Sequence, residues 1–141
     1  MLLHASSVVM DNRAVLLTGP SGAGKSDLAL RLIDGGAKLL SDDQTELFLS
    51  SGGQLMARPP ASIAGLIEVR YIGLMQLPFC GEAPVALHVV LAPEGAGLER
   101  LPQPASVNWL GQTVPELRLP SLAASTPAKI RLWLQHGIAQ S

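Results

Sequence analysis

Cysteine is nearly absent. Cys80 stands alone among 141 residues, which excludes an internal disulfide and any multi-cysteine zinc site and suits a reducing compartment. Aromatic residues are almost as scarce: Trp109, Trp133, Tyr71, Phe48 and Phe79, so Leu, Val, Ile and Ala must fill the core. Charged residues reach only 15%, and the net charge of −1 leaves no basic footprint for nucleic acid. No apolar run approaches the roughly 18 residues needed to span a bilayer. Residues 1–11 lack the basic and long apolar segments of a secretory signal, so a soluble cytoplasmic protein is expected. Neither an internal repeat nor a low-complexity tract is present. What remains is plentiful aliphatic content: 48% hydrophobic residues, enough for one core and too much for a disordered chain.

The pattern along the chain predicts an α/β fold, a single domain over 1–141 with a mixed sheet. Residues 5–9 and 14–18 read as a hairpin about the turn Asp11-Asn12-Arg13. Its second strand, AVLLT, is a continuous apolar run and is expected to be central and buried on both faces. A glycine-rich loop follows, then a helix over 25–33 with Leu28, Leu32 and Ile33 on its inner face and Gly35-Gly36 as its stop. Residues 37–40 form a short strand ending in Ser41-Asp42-Asp43. Residues 46–49 and 54–57 flank Ser51-Gly52-Gly53 as a hairpin, and 85–91 and 114–119 are later strands. Residues 92–104 read as a mobile loop. A helix begins at Thr126-Pro127, with the threonine as cap, and runs to Gly137.

The chemistry concentrates in Gly19-Pro20-Ser21-Gly22-Ala23-Gly24-Lys25-Ser26, which fits G-x-x-x-x-G-K-[ST] between a buried strand and a helix. Small residues let successive N–H groups turn inward on an anion, and the helix adds its dipole and unpaired donors. Lys25 can reach the β- and γ-phosphates, and the Ser26 hydroxyl can ligate Mg²⁺. Asp42-Asp43 follows seventeen residues after Lys25. At the end of a neighbouring parallel strand, one carboxylate could take a proton from an attacking hydroxyl and the other could orient metal-bound water. A turn or cap pair would look the same locally.

Other polar residues are ambiguous on their own. Glu68 and Arg70 alternate on one face of an apolar stretch, as a buried metal ligand beside a phosphate-binding cation or as an ordinary salt bridge. Arg100 is either a solvated charge or a mobile arginine that neutralises transition-state charge. His4 alone reads as a surface or structural histidine, His88 as structural, His136 as a helix-dipole partner, and Cys80 as a small buried residue.

Taken together, these spacings resemble the catalytic domain of the HPr kinase/phosphorylase family. GPSGAGKS is similar to the family's loop, with Pro20 where an acidic residue is usual, and KLLSDD is similar to its strand ending in two aspartates. On that resemblance Asp42 is the catalytic aspartate, Asp43 its partner, and His4 a histidine near the phosphates. Glu68-Val69-Arg70-Tyr71-Ile72-Gly73 looks like the signature E-[IV]-R-G-x-G with Tyr71 in place of a glycine, making Glu68 a metal ligand and Arg70 a support of the site. Leu98-Glu99-Arg100-Leu101 looks like the D-R-L element of a flexible loop, giving Arg100 a part in dephosphorylation. The likeness spans residues 4–120; the family's P-G-R-N segment is not found, as in a catalytic-domain-only form. It implies a P-loop fold like that of PEP carboxykinase. It further implies an ATP- and Mg²⁺-dependent protein-serine kinase acting on the phosphocarrier HPr. Pyrophosphate as donor, phosphorolysis by inorganic phosphate and a homo-oligomeric state stay open. Two other readings are a small-molecule P-loop kinase, against which the isolation of Arg118 and Arg131 argues, and a catalytically weak ATP-binding sensor.

Overall fold

The computed structural model describes residues 1–93 and 95–139; Glu94, within the expected 92–104 loop, and Gln140 and Ser141, at the end of the expected domain, lie outside the described residues. The fold is α/β, a curled mixed sheet with few helices. Its heart is the antiparallel hairpin β2 (Ser6–Met10) and β3 (Arg13–Thr18). Two residues make the turn, Asp11 and Asn12, both at positive φ, the arrangement that matches the twist of paired strands. β3 is central as expected, with Ala14, Val15, Leu16 and Leu17 fully buried between β2 and the long parallel strand β9 (Ala83–Ala92).

The helix α1 (Lys25–Asp34) follows the glycine-rich loop and lays Leu28, Ala29 and Leu32 on one face of this hairpin. Strand periodicity decides which side chains it meets. Val8, Met10, Val15 and Leu17 join Leu28 and Leu32 beneath α1, together with Ile130 and Leu134 from the last helix α2 (Thr126–His136). The alternate residues Val9, Ala14 and Leu16 face the other way, into a second core with Leu40, Leu47, Ala57 and Trp109.

That second core is closed by curling the sheet. β1 (Leu2–Leu3), β5 (Thr45–Leu49) and β6 (Leu55–Arg58) continue from the first residues of β9. β11 (Gln112–Pro120) runs parallel to the last residues of β9 and carries β10 (Ala105–Trp109) at its edge. β9 therefore serves two sheets along one strand. A separate pair, β7 (Leu66–Val69) and β8 (Gly73–Gln76), sits beside α1 and buries Ile67 and Val69 against Leu39.

Four expectations need correction. β4 (Lys38–Ser41) runs in the direction of β3 but is not its neighbour: β2 lies between them, antiparallel to both. β8 and β10 were not foreseen, because nearly all their residues are exposed and give no alternation. Thr126 does not cap α2; it is buried in the first turn and its hydroxyl bonds the Pro120 carbonyl instead. Cys80 is only half-buried, against the second core. Among the described residues no helix is long and apolar enough to cross a membrane.

Candidate active site

Residues 19–24 connect the end of β3 to α1 as a tight loop. Ala23 donates its N–H to the Pro20 carbonyl at 2.9 Å, and Gly22 and Gly24 take φ of 79° and 97°, where a Cβ is strained. A Cβ on Gly19 would lie 3.0 Å from that of Ala23 and 3.1 Å from the Leu91 carbonyl, so this position admits little beyond hydrogen. The loop and the N-terminus of α1 open on a cleft of about 730 Å³. Ser21 to Asp27 form one wall, His4 and Asp43 a second, and Glu68 to Tyr71 a third; Leu30, Pro93, Ser121 and Leu122 complete it. Pro20 lies in the same loop but is exposed and outside this lining.

Lys25 is only 9% exposed, and its Nζ donates to the Gly19 carbonyl at 3.2 Å. A buried ammonium with so few fixed partners is held ready for an anion. One residue on, the Ser26 hydroxyl donates to Asp42 Oδ1 at 2.6 Å. Ser6, which the sequence reading passed over, donates to the same oxygen at 2.9 Å and accepts the Asp43 N–H at 3.2 Å. Its signal was the pair Ser6-Ser7 opening a strand otherwise apolar, and both are fully buried. Asp42 Oδ2 accepts the Glu68 N–H at 3.3 Å. Asp42 thus ties α1, β2 and β7 together, and it does not line the cleft.

Asp43 does. It sits at φ 69°, exposed, with Oδ1 3.4 Å from His4 Nε2. The chain turns between the two aspartates, sending one carboxylate to the scaffold and the other to the solvent side. Glu68 and Arg70 reach the cleft but are exposed, and they form no ion pair among the described residues, so the expected buried pair is absent. The reason is that Ile67 and Val69 take the inward positions of β7. Arg100 is exposed and outside the cleft lining.

The donors suit Mg²⁺. The Ser26 hydroxyl and the Asp42, Asp43 and Glu68 carboxylates are all hard oxygens, and sites for this ion use one or two carboxylates with substrate phosphates. Among the described residues no group of three or more His, Cys, Asp or Glu is placed to hold a metal ion by itself.

Residues 1–121 match the family model described as HPr Serine kinase C-terminal domain. Proteins named HPr kinase/phosphorylase from Bordetella pertussis and Bordetella bronchiseptica are each 36% identical over 115 residues, 74% of this chain and 37% of theirs. The chain therefore spans little more than a third of the length of these curated relatives. The solved structure of the Hpr(Ser) kinase/phosphatase from Coxiella burnetii superposes with a TM-score of 0.84 at 28% identity, over 96% of this chain and 88% of that one. With the glycine loop, the paired aspartates and the curled sheet all falling inside the matched residues, the chain belongs to the HPr serine kinase C-terminal domain family.

Proposed function

We propose that this cleft moves a phosphoryl group between ATP or pyrophosphate and a serine of HPr, and that inorganic phosphate can take the group back. The observation that carries the reading is the Ser26–Asp42 hydrogen bond at the mouth of α1, beside the buried Lys25. It joins the three functions phosphoryl transfer asks for, an anion cradle, a cation and a carboxylate, at one point.

The N–H groups of residues 21–26 and the α1 dipole hold the donor phosphates, and the Lys25 ammonium turns from Gly19 to them. Arg70 at the rim adds a second positive charge. A bound Mg²⁺ would neutralise charge on the phosphate oxygens, and Ser26 and Glu68, which both line the cleft, are the residues that would hold it. Transfer then depends mostly on position, because such transition states need charge stabilisation more than covalent help.

The proton of the attacking serine hydroxyl needs an acceptor. The family resemblance implies Asp42, but three donors already engage its oxygens. Asp43 faces the cleft, and among the described residues its carboxylate meets His4 alone. The hydrogen-bond pattern favours Asp43 as the base, with His4 orienting it and Asp42 holding Ser26. As the serine oxygen bonds phosphorus and the bond to the leaving phosphate breaks, the proton passes to Asp43, which returns it in the reverse reaction. Exposed Tyr71, Ile72 and Leu74 beside the cleft offer an apolar rest for a protein acceptor. The reading calls for a cytoplasmic protein, where ATP and HPr meet.

The test incubates the chain with Mg·ATP and HPr and reads HPr by intact mass. One added phosphate on a serine, lost on adding inorganic phosphate, is the expected result. Asp43→Asn is expected to retain nucleotide and lose transfer by about 100-fold or more. Transfer by Asp43→Asn at the wild-type rate would return the proton to Asp42, and nucleotide binding with no transfer by the wild type would favour the sensor reading.

A further inference from the structure

Three side chains behind the phosphate loop form a chain of hydrogen bonds that the site described above does not use. His88 lies in the middle of β9, opposite Leu16 of β3 and Glu116 of β11. Its ring is buried. Nδ1 is 2.9 Å from Glu116 Oε1, Nε2 is 2.6 Å from Thr18 Oγ1, and the Trp109 ring packs against it, tilted by 55°, at 4.8 Å between centroids.

The chemistry of the partners orders the hydrogens. A carboxylate only accepts, so His88 Nδ1 carries the hydrogen and donates to Glu116. Burial lowers the His88 pKa against the opposing pull of Glu116, so the ring is neutral at neutral pH. Nε2 of a neutral ring is then an acceptor, and Thr18 donates its hydroxyl to it. Thr18 points away from α1, since the alternate residues Val15 and Leu17 face that helix.

Thr18 is the last residue of β3 and Gly19 is the first of the loop. The Gly19 carbonyl is the acceptor for Lys25, and the Leu91 carbonyl of β9 backs Gly19 from behind. β9 therefore meets the loop's entry twice: His88 bonds Thr18, and Leu91 leaves no room for a Cβ on Gly19.

We propose that Glu116, His88 and Thr18 form a positioning relay that fixes the entry of the phosphate loop and, through Gly19, the place of the Lys25 ammonium. None of the three lines the cleft, so their effect passes through the backbone of the loop. The inference rests on the reading of residues 19–26 as a phosphate loop, and its test separates the two.

The experiment compares Thr18→Val, which keeps the shape and drops the hydroxyl, with Thr18→Ser, which keeps the hydroxyl. Amide hydrogen exchange over residues 19–25 is the first readout, with residues 55–58 of β6 as the internal control. Thr18→Val is expected to exchange about tenfold faster in the loop, the amount one lost hydrogen bond allows, with the control unchanged and Thr18→Ser like wild type. The second readout is Mg·ATP affinity, expected to weaken about tenfold in Thr18→Val and to recover in Thr18→Ser. His88→Ala should reproduce the loop signature; if it fails to fold, the threonine pair carries the test. Loop exchange in Thr18→Val equal to wild type, or no recovery with serine, overturns the relay. If the exchange pattern appears but wild type binds no Mg·ATP, the relay stands and the phosphate reading falls.

Discussion

Ser26 gives its hydroxyl to Asp42 Oδ1 across 2.6 Å, joining the first turn of α1 to a strand end sixteen residues later. Ser26→Ala should therefore separate stability from metal use. Loss of one half-buried hydrogen bond is expected to cost about 1 kcal/mol in denaturant unfolding. The Mg²⁺ concentration for half-maximal transfer should rise by about tenfold or more if this hydroxyl is a ligand. A Mg²⁺ titration with an unmoved midpoint would remove Ser26 from the metal site.

Stability should fall on acidification, and His88 gives the sign. Its pKa in the fold lies below the ordinary 6.5, so the unfolded chain takes up its proton first as pH falls. Native stability conferred by the neutral ring is present above about pH 6.5 and declines below it, until the folded pKa is passed, by at most about 1.4 kcal/mol per pH unit. The charged group facing the ring is Glu116, with Thr18 and Trp109 as neutral neighbours. Urea unfolding at a series of pH values should show this slope in wild type and not in His88→Gln. An equal slope in both would move the titration elsewhere.

Tyr71 occupies φ 74° at the turn between β7 and β8 and is 98% exposed, so it suffers left-handed strain with little packing in return. Relief of about 1–2 kcal/mol, less the extra entropy glycine loses on folding, predicts that Tyr71→Gly stabilises the protein by up to about 1 kcal/mol. Chemical denaturation measures it directly. A destabilised variant would mean that the tyrosine ring is held by contacts along the turn.

Leu28 is fully buried where α1 crosses β2 and β3. Leu28→Ala should cost about 2–5 kcal/mol, read from the denaturation midpoint, because the surrounding strands cannot collapse into the space. A loss below about 1 kcal/mol would show that Ala29 and Leu32 can repack the interface.

The parts legible in the sequence share a strong local signal. Residues 14–17 are apolar without interruption because both faces of β3 are covered, and the loop from Gly19 to Gly24 announces itself because Gly19 has no room for a Cβ and Gly22 and Gly24 take positive φ. Asp42-Asp43 was found as a pair, yet their opposite orientations rest on φ 69° at Asp43, which composition does not disclose. The position of β4 across β2 is a fact of pairing over distance, and nothing in KLLS states its neighbour. That Glu68 and Arg70 share a face is legible, but which face is buried depends on Leu39 of β4 meeting Ile67 and Val69. A structural His88 is legible from its place in a strand, while its partners Thr18 and Glu116 come from strands far apart in the chain and share no motif.

The sharing of β9 between two sheets also bears on how the chain is made. β3 is made before its parallel partner, residues 83–92, by more than sixty residues, and Ile130 and Leu134 under α1 come later still. Until then the strand that leads into the glycine-rich loop has one bare edge and one uncovered face. Local pairing of β2 with β3 can form at once, but the loop acquires its backing only after β9 is released. Chains stopped before residue 83 should therefore be sticky and leave the glycine-rich loop unbacked, and the loop is completed in a slow step dominated by contacts distant in sequence.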